Sequence, residues 1–96
     1  MNVGVCKIRL RLPENSSLKG KRQVVKSILS RIRNKFNVSV AEIDDNELWQ
    51  IATIGISCIS NNKRYTNKVL SRVVDFVAGS RLEAEMLDYE IEILDI

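Results

Sequence analysis

The chain has 96 residues, 45% hydrophobic and 28% charged, with 15 Lys and Arg against 12 Asp and Glu. That length predicts one domain spanning residues 1–96, able to bury roughly 60 to 70% of its unfolded surface without staples. No stretch approaches the ~18 apolar residues of a membrane span, and no basic region, apolar run and cleavage site open the chain, so a cytoplasmic protein with no membrane partner is expected.

The residue inventory removes most chemistry. There is no His, hence neither the commonest general base nor the commonest metal ligand. No nucleophile arrangement, paired catalytic carboxylates or phosphate-binding glycine loop is present, so the chain is expected not to be an enzyme and to carry no cofactor. Cys6 and Cys58 lack a C-x-x-C partner and fall on predicted core faces, where they read as small buried hydrophobes of a reducing compartment. Glu42, Asp44, Asp45 and Glu47 match no calcium-loop spacing, and no metal site is expected. The two N-x-S sequons, at Asn15 and Asn37, are read as turn and strand-edge chemistry.

Residues 3–12 alternate, with Cys6, Ile8, Leu10 and Leu12 on one side and Lys7, Arg9 and Arg11 on the other, which is the period of a half-buried strand. Pro13 and Asn15 close it. Residues 17–36 then carry Leu18, Val25, Ile28, Leu29, Ile32 and Phe36 on one arc at about 100° per residue, a core-facing helix capped by Ser17. Gly20 stands where a capping box would place Glu or Gln. Lys19, Lys21 and Arg22 fall in its first turn, where the helix dipole disfavours each cation by about 0.3 to 1 kcal/mol.

Residues 38–44 and 48–60 read as a hairpin around the turn Asp45-Asn46-Glu47, with Ala52, Ile54, Ile56 and Cys58 inward in the second strand. In the first, Val38 and Val40 lie on one face and Ala41 and Ile43 on the other, and a bulge would reconcile them. Asn61 and Asn62 cap a second helix to about Ala78, with Val69, Leu70, Val73, Phe76 and Val77 inward and Gly79 as its stop. The last strand sets Leu87, Tyr89, Ile91 and Ile93 against Asp88, Glu90 and Glu92. Trp49, just after the hairpin turn, is the one aromatic available to stack on a base or a partner, and packing over the sheet edge is the favoured expectation.

The order β-α-β-β-α-β predicts an α+β, ferredoxin-like sandwich: a four-stranded antiparallel sheet with two helices on one face and the first strand between the third and the last. The cations of the first strand then neutralise the acids of the last. The uncovered sheet face carries Val3, Val5, Ile51 and Ile59, a candidate surface for a homodimer or higher oligomer. An RRM is excluded, because its base-stacking aromatics are replaced by cations, Thr53, Gly55 and Ser57; the absence of a G-x-x-G loop excludes KH.

Residues 1 to 40 hold ten of the fifteen cations and one acid, Glu14, whereas from Ala41 onward there are eleven acids and five bases. After pairing between the first and last strands, the excess remains on the first helix. Lys19, Arg22, Lys26 and Arg33 form one stripe, with Lys21 nearer the buried side, and these five are the candidate nucleic-acid-binding residues for RNA phosphates. An RNA- or ribosome-associated accessory module is the leading expectation. The alternative is a self-associating structural or small-ligand domain using the open sheet face.

Four segments, S-L-K-G-K-R at 17–22, F-N-V-S-V-A-E at 36–42, L-W-Q-I-A-T-I-G at 48–55 and D-Y-E-I-E-I-L at 88–94, resemble the bacterial YlxP-like proteins, a family of unknown function. The resemblance runs nearly end to end. It implies a ferredoxin-like fold in a cytoplasmic bacterial protein, with genes often found among those for translation initiation and ribosome maturation, and it implies no assigned site. Gly20 departs from the acid expected in many relatives.

Overall fold

Two strands of alternating pattern and opposite charge bracket the chain, and the sheet is built on their pairing. In the computed structural model, which describes residues 1–45, 47–80 and 83–96, the elements are β1 (Asn2–Arg11), α1 (Leu18–Lys35), β2 (Ser39–Asp44), β3 (Ile51–Ser60), α2 (Lys63–Gly79) and β4 (Glu85–Asp95). The strands form one antiparallel sheet in the order β2-β3-β1-β4. This is the ferredoxin-like α+β sandwich, with β1 between β3 and β4.

The core lies between the sheet and the helices. Cys6, Ile8, Leu10 and Leu12 of the first strand and its extension meet Ala52, Ile54, Ile56 and Cys58 of β3, Val25, Ile28 and Ile32 of α1, and Leu70, Val73, Val74 and Val77 of α2. Ser17 caps α1 by accepting from the Gly20 N–H at 3.0 Å, and Asn62 caps α2 by accepting from the Tyr65 N–H at 3.1 Å. At the other end of α1 the Phe36 ring meets the edge of Phe76 at 5.7 Å between centroids, with the Lys35 ammonium over Phe76.

The charge stripes of β1 and β4 meet as the alternation requires. Lys7 pairs with Glu90 at 3.0 Å, Arg9 with Asp88 at 3.1 Å and Arg11 with Glu85 at 2.5 Å. All six side chains are about half exposed or more, so solvent screens these pairs and they fix register rather than stability.

Three local expectations need correction. Gly79 does not stop α2 in the left-handed conformation: no glycine has a positive φ, the helix runs through it, and Ser80 caps the end by donating its hydroxyl to the Phe76 carbonyl. Leu87 does not point inward, because the β1–β4 register shifts between Arg9 and Leu10; Met86 faces the core instead and Leu87 is exposed. Strand β3 begins at Ile51, three residues later than expected. The bulge in β2 is present, between Glu42 and Asp44. The expected turn residue Asn46 lies outside the described residues.

Both thiols are buried. Burial, with a smaller contribution from the Glu90 charge, pushes the Cys6 thiol up from 9.0 to about 11, and burial also raises that of Cys58. A raised thiol pKa means that the native state holds its proton longer than the unfolded chain does. Stability from Cys6 is therefore complete below about pH 9 and is lost as pH rises towards 11. At pH 8 a thiol reagent should label neither cysteine at an appreciable rate until denaturant is added; rapid labelling of native protein would contradict the burial.

Candidate nucleic-acid interface

Helix α1 carries seven cations and no acid over its eighteen residues. The structure divides them. Lys19, Arg22, Lys26 and Arg33 are exposed, and at helical spacing they occupy an arc of about 60° extending some 21 Å along the axis. None of these four forms an ion pair with a described residue. Arg33 also donates from Nη2 to the Val40 carbonyl at 3.0 Å, which places the stripe beside the outer edge of β2.

Lys21 does not belong with them. It is 1% exposed, its Nζ lies 3.2 Å from Glu42 Oε2, and it donates to the Asp45 carbonyl. On the helix wheel Lys21 falls between Ile28 and Ile32, so a side chain expected to meet phosphate is consumed inside the fold. Glu42 Oε2 is buried and makes no hydrogen bond among the described residues, so the pair is held by charge alone. Asp45, in the left-handed region at φ 63°, accepts on its carboxylate from the Thr53 hydroxyl at 2.6 Å. Lys21 thereby ties the first turn of α1 to the β2–β3 connection.

Asn15, which the sequence marks only as a turn residue, is a second tie. Its side-chain amide donates to the carbonyls of Ser17 and Trp49, and its own carbonyl accepts from the Gln50 side chain at 3.1 Å. Gly20 makes room for this: a Cβ there would collide with the Asn15 side-chain oxygen and stand 3.2 Å from Ser17 Oγ. Trp49 is held by its backbone, while 54% of the residue is exposed, so it does not pack over the sheet edge as expected. The remaining α1 cations are placed apart from the stripe: Arg31 lines a surface concavity with Glu14 and Glu83, and Lys35 sits on Phe76.

The open sheet face forms a shallow concavity of about 730 Å³ lined by Val5, Lys7, Ala41, Ile43, Gly55 and Glu92, among others. Ile43 fills the space above Gly55, where a Cβ would come within 2.9 Å of it. Val5, Ile43, Ile59 and Leu94 are exposed apolar side chains.

A family model described as a protein of unknown function (DUF503) matches residues 3–91. The chain belongs to this family. It is 40% identical over 75 residues to the uncharacterised protein YlxP of Bacillus subtilis (strain 168), covering 78% of this chain and 82% of that one. Solved structures share less: the C-terminal domain LarC2 of a cyclometallase involved in NPN cofactor synthesis (TM-score 0.41, 9% identity) and an amidase of the hydantoinase/carbamoylase family from Burkholderia phymatum (0.39, 8%). Each is matched by 98% of this chain, which spans 56% and 28% of their respective lengths. A dimeric ferredoxin-like protein of unknown function from Thermobifida fusca YX gives 0.38 at 13% identity, over 98% of this chain and 92% of that one.

Among the described residues no helix is long and apolar enough to cross a membrane.

Proposed function

We propose that the protein is a non-catalytic, RNA- or ribosome-associated accessory factor that meets phosphates along α1 through Lys19, Arg22, Lys26 and Arg33. The pattern of ion pairing supports this reading. The cations of β1 are matched by β4, Lys63 by Asp95 and Lys21 by Glu42, whereas the four exposed residues of the stripe have no acidic partner among the described residues. Arg64, Lys68 and Arg72 of α2 are unpaired among them as well, but they share their helix face with Asp75, while α1 carries no acid. A helix face crowded with cations, including Lys19 and Arg22 near its positive end, stores repulsion that polyphosphate relieves. No aromatic side chain of α1 accompanies the stripe, so base preference is weak.

Near 0.1 M salt, removing one phosphate-binding cation should lower affinity for single-stranded RNA about fivefold, since roughly 0.7 counterion is released for each phosphate neutralised. Arg22→Ala and Lys26→Ala are expected to show this decrease, and Lys68→Ala on α2 is expected not to. Fluorescence anisotropy with a labelled RNA checks it. Equal decreases for all three, or none, would reduce the stripe to a solvated helix face.

Self-association across the open sheet face is the second reading, supported by the exposed Val5, Ile43 and Ile59. Salt-insensitive dimers in sedimentation equilibrium, without RNA binding, would favour it.

A further inference from the structure

The two margins of the sheet are built differently. Strand β2 is six residues long and ends in a bulge, and the Val40 carbonyl on its outer edge is occupied by Arg33. A short strand, a bulge and a covering charge are the usual means of closing an edge against further pairing. Strand β4 is eleven residues long; its stretch from Tyr89 to Asp95 has no bulge, and among the described residues the one side chain paired at this edge is Lys63, which meets the Asp95 carboxylate at its far end.

The outward backbone groups of β4 follow from the ladder. Ile96 N–H bonds to the Met1 carbonyl opposite it, so alternate residues Leu94, Glu92, Glu90 and Asp88 also pair with β1. Leu12 N–H bonds to the Gln50 carbonyl, which assigns the even residues of β1 to β3 and its odd residues to β4, in agreement. Tyr89, Ile91, Ile93 and Asp95 therefore turn both N–H and C=O away from the sheet, along about 20 Å of strand. Their side chains alternate with the acids: Tyr89 is 52% exposed and Ile91 and Ile93 are half-buried on the helix side, while Asp88, Glu90 and Glu92 are exposed on the open face.

We propose that this edge docks an extended peptide whose residues alternate basic and apolar, adding a strand beyond β4. The molecule contains the template for that partner. Strand β1 meets β4 from the inner side with Lys7 and Arg9 against Glu90 and Asp88, and with Ile8 and Cys6 opposite Tyr89 and Ile91. A strand on the outer side lies at the same spacing from the same carboxylates, and Glu92, opposite Val5, has no cation among the described residues. Main-chain hydrogen bonds supply affinity and the alternation supplies register, as in peptide recognition by strand addition. A second copy fits less well, because antiparallel self-pairing about Ile91 sets Glu90 against Glu92 of the other copy, and like charges directly opposite are destabilising.

The test uses the full chain and three labelled peptides: K-I-R-L-R-L, which repeats residues 7–12, the reordered K-R-R-I-L-L and the acidic E-I-E-L-E-L. The first should bind most tightly and slow amide exchange at Tyr89, Ile91 and Ile93 by about tenfold or more, the mark of newly bonded edge N–H groups. Ile91→Pro removes one outward donor without touching the β1 ladder, a position where proline is tolerated, and should weaken K-I-R-L-R-L by about tenfold or more. Glu92→Lys leaves the backbone intact and should shift preference towards the acidic peptide, so the proposal is tested even if the proline variant does not fold. Equal binding of the three peptides, no binding, or protection gained elsewhere overturns the proposal. So does finding Tyr89, Ile91 and Ile93 already protected in a dimer of the free protein.

Discussion

Replacing Lys21 with Ala is expected to destabilise the protein by about 3 kcal/mol, far more than removal of any other lysine. The residue is 1% exposed and its partner Glu42 has a side chain 20% exposed, so deletion strands a carboxylate in poor solvent and opens a void where the lysine stem lay. It also removes a donor from the Asp45 carbonyl, which still accepts from Leu48 N–H at 3.0 Å. For a domain whose whole stability is about 5 to 15 kcal/mol, that decrease is severe. Lys21→Met with Glu42→Gln should recover at least half of it, because neither the unpaired charge nor the void remains. Urea unfolding of these variants beside Lys26→Ala reads the difference. A midpoint for Lys21→Ala as close to wild type as that of Lys26→Ala would mean that Lys21 belongs to the surface stripe.

A second large effect is expected at Gly4. This buried residue lies on the helix-facing side of β1, and a Cβ built there would stand 2.7 Å from Leu70 Cδ1 and closer still to Thr66 Cγ2. Thr66 cannot retreat freely: its hydroxyl donates to Asn2 Oδ1 at 2.6 Å and lies 2.6 Å from the Ser60 hydroxyl, in a network that ties α2 to two strands. Gly4→Val should therefore lift the start of α2 off the sheet and cost about 3 kcal/mol, at the upper end for overpacking. Gly79→Ala is the contrasting control, since nothing lies within 4 Å of its Cβ position. It should be neutral or stabilise by up to about 1 kcal/mol through helix propensity. Calorimetric midpoints that fall for Gly4→Val alone are the expected result; an unchanged Gly4→Val would contradict the packing of α2 on β1.

The architecture is legible in the sequence because its strongest determinants are periodic. Alternation in β1 and β4, together with opposite charges on their outward sides, specifies that the two strands are neighbours. What is not legible depends on single tertiary events. The register shift at Arg9 and Leu10 turns Leu87 out and Met86 in, and nothing in the local pattern announces it. Gly79 resembles a helix stop, but its backbone stays right-handed and Ser80 supplies the cap. At the candidate site the helical spacing identifies which stripe is exposed, and it is the charge of Lys21, not its spacing, that groups it wrongly with the phosphate-binding cations. The wheel position of Lys21 already lies inside the core arc, and only the distant Glu42 makes its burial tolerable. The sequence marks Asn15 as a turn residue and Gly20 as a missing capping-box acid but not what joins them, because their shared role is a close approach between a loop and a helix turn.

The salt dependence of RNA binding by the unmodified protein tests the central claim most directly. Four phosphate contacts along α1 give a slope of about −3 in log affinity against log salt for single strands, and Arg22→Ala or Lys26→Ala should each reduce it by nearly one. A slope near zero, or one that neither substitution changes, would contradict phosphate recognition by the stripe.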